Sequence, residues 1–222
     1  MNEDYHQWND DEANNAYAHI QFLMRVRGRF AKRPELLYAL ETIPRALFVP
    51  RMFRRDAYAE QSITIAGGQT LEPPSVILHM IEALQVEERH TVLEIGTGSG
   101  YMAALLSCLV RRVYTIERIR DVRDEALQQC VALQRNNIVF LVGDGYHGWK
   151  DGAPYDRLVA TAASPHVPSC WLEQLNEGGV LVMMLGGMHD EKKKMLRITR
   201  QGEQFITESL GDGACDMLHG AK

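Results

Sequence analysis

Hydrophobic positions change period several times along this chain, and each change marks an element. From Asp11 to about Ala31 the apolar residues fall at helical spacing. They do so again after Pro34, which sits in a first turn followed by Leu36, Leu37, Leu40 and Ile43 at i, i+1, i+4 and i+7. Val76, Ile77, Met80 and Ile81 repeat the pattern around His79, which reads as a partly exposed helix residue. Beyond residue 90 short β-branched runs at 91–95, 112–117, 138–142, 156–161 and 179–185 alternate with helical stretches. Two last runs, 194–199 and 204–209, are joined by a polar turn at Gln201-Gly202 and predict an antiparallel pair at one end. The expected fold is α/β, a doubly wound, mostly parallel sheet of about seven strands with helices on both faces. Residues 1–75 would form an N-terminal helical extension and a substrate-side loop, and 76–222 the core, within one compact domain.

The run Thr91–Ile95 breaks into Gly96-Thr97-Gly98-Ser99-Gly100 and then a helix. Alternate glycines permit positive φ and leave no Cβ between the backbone and a ligand lying across a helix N-terminus. The spacing excludes two common cradles. A dinucleotide fingerprint needs its third glycine where Tyr101 stands, and a P-loop needs a Gly-Lys-Ser/Thr that does not follow. Glu117 ends the second run, 23 positions after Glu94, about the ~20 expected for one βαβ step. An acid there lies beside the glycine turn, where it accepts hydrogen bonds from ribose hydroxyls, unless it is a solvated strand end. Gly143-Asp144-Gly145 follows the third run.

Composition narrows the partners. A net charge of −5 argues against a general nucleic-acid binder, and 45% hydrophobic with 24% charged residues suits a water-exposed globular chain of 222 residues. Arg45, Arg51, Arg54 and Arg55 read most simply as a solvated face, with contact to an anionic substrate as the alternative. Cys108, Cys130, Cys170 and Cys215 form no C-x-x-C pair and read as reduced thiols, and no His/Cys/Asp cluster has metal spacing, so no metal is expected. The acidic N-terminus lacks a signal-peptide layout, and no stretch has ~18 uninterrupted apolar residues, so the expected location is cytoplasmic, away from membranes.

Acid-x-Gly-x-Gly-x-Gly at 94–100 resembles the first motif of S-adenosylmethionine-dependent methyltransferases, a class that holds the adenine at the position of Asp144. Ala46-Leu47-Phe48-Val49-Pro50, Gly67-Gly68-Gln69-Thr70-Leu71-Glu72-Pro73-Pro74, Val159-Ala160-Thr161-Ala162-Ala163 with Pro165-His166-Val167-Pro168, and Glu177-Gly178-Gly179-Val180 carry the likeness further. From about residue 20 to about residue 210 the chain resembles the protein-L-isoaspartate O-methyltransferase family, which methylates the α-carboxyl of isoaspartyl residues in age-damaged proteins. The resemblance implies S-adenosylmethionine as cofactor, held by Gln69, Glu94, Gly96, Gly98, Ser99, Gly100, Glu117, Asp144, Gly145 and Thr161. It implies a protein or peptide acceptor near Thr70, with His166 at the pocket mouth as a candidate acceptor contact.

The likeness fails at the acceptor. The family places an active-site serine two residues after the threonine of its Gly-Gln-Thr segment, and here Glu72 stands there. Three readings of Glu72 stay open: a carboxylate capping the helix that starts at Pro73 or Pro74, a pocket-facing group able to act as general base for a different acceptor, or a protonated acid donating as the serine would. Ser75 lies on the following helix and does not replace the missing hydroxyl. Ala214-Cys215-Asp216-Met217-Leu218 stands where the family has an apolar Phe-Val-Pro-Leu type run. Isoaspartyl methylation is the first expectation, a methyltransferase for a small molecule or another protein group the second, and a non-catalytic S-adenosylmethionine-binding module the third.

Overall fold

The N-terminal helical pattern folds as α1 (Glu3–Arg27) and α2 (Pro34–Thr42) in the computed structural model, which describes residues 3–187 and 193–213. α1 starts well before Asp11, where the polar sequence offers no apolar period to read. It also stops short of Ala31, at Arg27, just before Gly28. Pro34 opens α2, and Leu36, Leu40 and Ile43 are buried.

Two 3-10 turns, Arg45–Phe48 and Arg51–Asp56, lead into a small antiparallel ribbon of β1 (Ile63–Thr64) and β2 (Thr70–Leu71). Gly67 and Gly68, at φ 65° and 68°, make its tip. The core then runs α3 (Pro74–Leu84), β3 (Thr91–Ile95), α4 (Tyr101–Ser107), β4 (Arg112–Glu117), α5 (Arg120–Ala132), β5 (Ile138–Val142), β6 (Tyr155–Ser164), α6 (Ser169–Glu173), β7 (Leu175–Leu185), β8 (Lys193–Gln201) and β9 (Gln204–Gly213).

The seven strands from β3 to β9 form one sheet in the order β5-β4-β3-β6-β7-β8-β9. β5 through β7 are parallel, and β8 and β9 pair antiparallel at the end, with Gln201 opposite Gln204 across a turn at Gly202. This is the expected doubly wound, mostly parallel sheet. Alternation distributes its side chains to two cores: Val92, Val180 and Val182 face one, and Leu93, Leu181 and Met183 the other. The first core also contains Phe22, Phe30, Leu36, Leu40 and Phe48, so the N-terminal helices share their apolar interior with the sheet. Strand order reverses at β3, with β4 on one side and β6 on the other, and ligands of such sheets bind outside the strand C-termini at that switch. Ala214–Leu218 lie outside the described residues.

Candidate active site

The glycine segment leaves β3 at the switch point. Gly96 N–H donates to the Ile116 carbonyl at 3.0 Å, tying the turn to the end of β4. Gly96 has φ 89°, and a Cβ there would lie 3.0 Å from Thr161 Oγ1, whose hydroxyl donates to the Gly96 carbonyl at 2.9 Å. Gly100, at φ 84°, allows α4 to start against α5, since its Cβ would sit 2.9 Å from that of Ala126.

Three carboxylates converge on the turn. Glu117 is buried, and its two oxygens accept from Gly98 N at 3.2 Å and Ile119 N at 3.1 Å. Its carbonyl accepts from Gly143 N at 3.0 Å, which brings the 143–145 turn to the same strand end. Glu94 is wholly buried. Its Oε2 accepts from Thr115 Oγ1 at 2.6 Å, that hydroxyl lies 2.7 Å from Thr97 Oγ1, and Oε1 has no hydrogen-bonding partner. Burial pushes the Glu94 carboxyl up to about 8; the Thr115 hydrogen bond opposes this and the Glu117 charge adds to it.

The third carboxylate is Glu72, delivered by the β1–β2 ribbon. Thr64 pairs with Thr70 and Ile63 with Leu71, so the chain enters α3 directly after β2. Glu72 is 4% exposed, and Ser62 Oγ and Thr70 Oγ1 each approach its carboxylate at 3.4 Å. The helix-capping reading is corrected: α3 has no side-chain cap, and Glu72 lines the same cavity as the glycine turn. Pro73 supplies no N–H at that point, and the ribbon turns the carboxylate inward.

Arg45 is a second correction. It is 0% exposed, not part of a solvated face. Its Nε donates to the Ala57 carbonyl at 2.7 Å, Nη2 donates to the Glu72 carbonyl, and its guanidinium stacks over Tyr101 at 5.3 Å. Desolvation lowers its pKa, while the Tyr101, Glu60, Tyr58 and Glu72 charges oppose that. Arg51 and Arg55 do lie exposed.

Together Gln69, Thr70, Glu72, Glu94, Gly96, Gly98, Ser99, Glu117 and Thr161 line one cavity of about 60 Å³. The expected residues outside that lining are Gly100, Asp144, Gly145 and His166. Gly100 is the cap of α4. Asp144 accepts from Tyr146 N at 2.9 Å and borders a separate depression of about 300 Å³, and a Cβ on Gly145 would come within 2.5 Å of Ile95 Cγ2. His166 is exposed and paired with the Tyr146 hydroxyl at 3.0 Å. Sequence reasoning missed Thr97, Tyr101, Met102 and Ala162 in the lining. Tyr101 was visible as the residue that breaks the dinucleotide spacing, and its burial against Arg45 had no sequence signal. Among the described residues no group of three His, Cys, Asp or Glu is disposed to hold a metal ion, and no helix is long and apolar enough to cross a membrane.

Comparison with known proteins places these features in context. A family model described as protein-L-isoaspartate(D-aspartate) O-methyltransferase matches residues 19–212. A protein-L-isoaspartate O-methyltransferase of Parvibaculum lavamentivorans is 42% identical over 193 residues, 86% of either chain. One from Dictyoglomus thermophilum is 41% identical over 180 residues, 81% of either chain. Among solved structures, a protein-L-isoaspartate O-methyltransferase superposes with a TM-score of 0.80 at 22% identity, covering 91% of this chain and 66% of the other. A Plasmodium falciparum protein assigned to the same activity, solved with S-adenosyl-L-homocysteine, gives 0.75 at 17% identity, covering 90% and 97%. At those identities the superpositions speak for the fold.

Proposed function

The chain belongs to the protein-L-isoaspartate O-methyltransferase family and is an S-adenosylmethionine-dependent methyltransferase, and we propose that its acceptor is the α-carboxyl of isoaspartyl residues in proteins and peptides. The observation that carries this reading is the meeting of the glycine turn, Glu117 and the Gln69–Glu72 segment around one cavity at the sheet's switch point.

The residues fit the cofactor. The Glu117 carboxylate, oriented by two backbone N–H groups, keeps lone pairs for ribose hydroxyls. Glu94 Oε1, buried and unpartnered, calls for a polar partner that the protein does not provide. Gly96, Gly98 and Ser99 leave room beside the backbone, Gln69 and Thr161 line the same cavity, and Asp144 and Gly145, outside that lining, are the residues proposed to meet the adenine edge. When bound, S-adenosylmethionine supplies an electrophilic methyl group on a sulfonium.

An acceptor that is already a carboxylate needs no base. The protein's work is to align it and exclude water, and Thr70, in the cavity lining, is the hydroxyl proposed to orient it. Glu72 works against an anionic acceptor: at ~4 Å and an effective dielectric near ~20 the repulsion is about 4 kcal/mol, and it falls to about 1 where water enters. The buried Arg45 behind the segment offsets part of it. The proposed enzyme therefore has a raised KM for isoaspartyl peptides.

The test is radiolabelled methyl transfer to an isoaspartyl peptide and to its ordinary aspartyl isomer. Label in the first only is the expected result. Label in neither, while a neutral hydroxyl or amine acceptor is methylated, would move the activity to a different acceptor.

A further inference from the structure

We infer that the protein associates with a second copy of itself through α1, the two helices packing antiparallel along an apolar stripe that faces away from the core.

The two sides of α1 differ. Phe22 and Val26 are buried, and His19 Nε2 donates to the Leu40 carbonyl at 2.9 Å, so this side is held by the body of the protein. On the opposite side Tyr17, Ile20 and Met24 are 63%, 55% and 73% exposed, and the exposed Ala13 continues the stripe one turn earlier. Their spacing of i, i+3 and i+7 is the a and d repeat by which one helix packs on another, whereas exposed apolar residues scattered singly have no period. Residues 3–18 of α1 also precede the match to the family model, which starts at residue 19. Much of this helix is therefore additional to what the chain shares with its family.

Charge identifies the partner. Within α1 every acid lies ahead of Ala13, at Glu3, Asp4, Asp10, Asp11 and Glu12, and both arginines, Arg25 and Arg27, come in the last turn. A helix segregated in this way is complementary to its own copy when the two run antiparallel and repels it when they run parallel. Arg25 is engaged within the chain, with Glu60 at 3.6 Å and the Tyr58 carbonyl at 3.1 Å. Arg27 is exposed and forms no ion pair with another described residue. A two-fold axis midway between Tyr17 and Ile20 sets Tyr17 against the partner's Ile20 and Ala13 against the partner's Met24. The same register places Asp10 opposite the partner's Arg27, and the symmetry makes each of these contacts twice. From position 10 to position 27 the seam is about 27 Å long at ~1.5 Å per residue. One helix from each copy makes a small interface, so association is expected in the micromolar range. The acids of the first half disfavour an anionic membrane as the occupant.

Sedimentation velocity of the full chain over a concentration series tests this. The wild type should move from 25.1 kDa toward twice that mass as its concentration rises. Ile20→Glu puts a charge on both sides of the seam at an exposed site, and should leave the fold intact while weakening the dimer at least about tenfold. Met24→Glu should act likewise. Asp10→Arg and Arg27→Asp should each weaken association at least about threefold, and the double variant, which exchanges the two charges, should restore it. A wild type that stays monomeric throughout overturns the inference, even if the stripe then binds vesicles or another protein. A dimer indifferent to both Ile20→Glu and Met24→Glu overturns it as well, because its interface lies elsewhere. Failure of the charge exchange to restore association overturns the antiparallel pairing.

Discussion

Glu94 shows how one buried atom sets a pH response. Its carboxyl is pushed up to about 8 in the folded protein against an ordinary value of 4.5, so at neutral pH it is mostly protonated. A folded pKa above the unfolded one contributes stability that is full below about 4.5 and is lost as pH rises through about 8. The ligand-free melting temperature should therefore fall between pH 6 and 8.5, and fall less in Glu94→Gln. Cationic cofactor favours the ionised acid, so its binding at pH 7 should release a proton. Titrations in buffers of different ionisation enthalpy read that release directly, and it should vanish in Glu94→Gln. Glu117 makes a separate prediction. Glu117→Ala removes the acceptor of Gly98 N and Ile119 N together with the proposed ribose contact, and S-adenosylmethionine should bind about tenfold to a hundredfold more weakly. Binding unaffected by that change would remove Glu117 from the ribose site.

Elements hold these residues in place, and two contacts between elements can be tested by unfolding. Gly100→Ala places a Cβ 2.9 Å from Ala126 of α5 at φ 84°, and should cost about 1–3 kcal/mol in urea denaturation. Arg45→Met leaves the Ala57 and Glu72 carbonyls without their buried donor and should cost about 3 kcal/mol while loosening the Glu72 segment. The contrast between these two positions shows what the sequence could convey. Gly100 was legible because a glycine in an apolar strand-to-helix turn has a backbone reason. All seven sheet strands were legible for a similar reason, since periods of two and 3.6 follow from local geometry. Arg45 was illegible because it was grouped with the arginines at 51, 54 and 55, and its burial comes from Tyr101 and Glu72, residues far away in sequence. The direction of Glu72 was open for the same reason: a proline follows it, but the pairing of Thr64 with Thr70 decides where the carboxylate points.

At the scale of the molecule, the sheet supplies a switch point, and the glycine turn, Glu117 and the N-terminal ribbon line one cavity there, the proposed site of cofactor and acceptor. The cofactor half follows the family pattern that the sequence suggested, and the acceptor half departs from it in sequence at Glu72 and at 214–218. That combination has a direct kinetic consequence, because a like charge at the acceptor wall raises the peptide's KM without touching the sheet. The decisive measurement is steady-state methylation of one isoaspartyl peptide at neutral pH by the wild type and by Glu72→Ser. The account predicts measurable wild-type transfer and a KM for peptide at least about tenfold lower in the serine variant. Failure of both proteins to methylate the isoaspartyl peptide would contradict it.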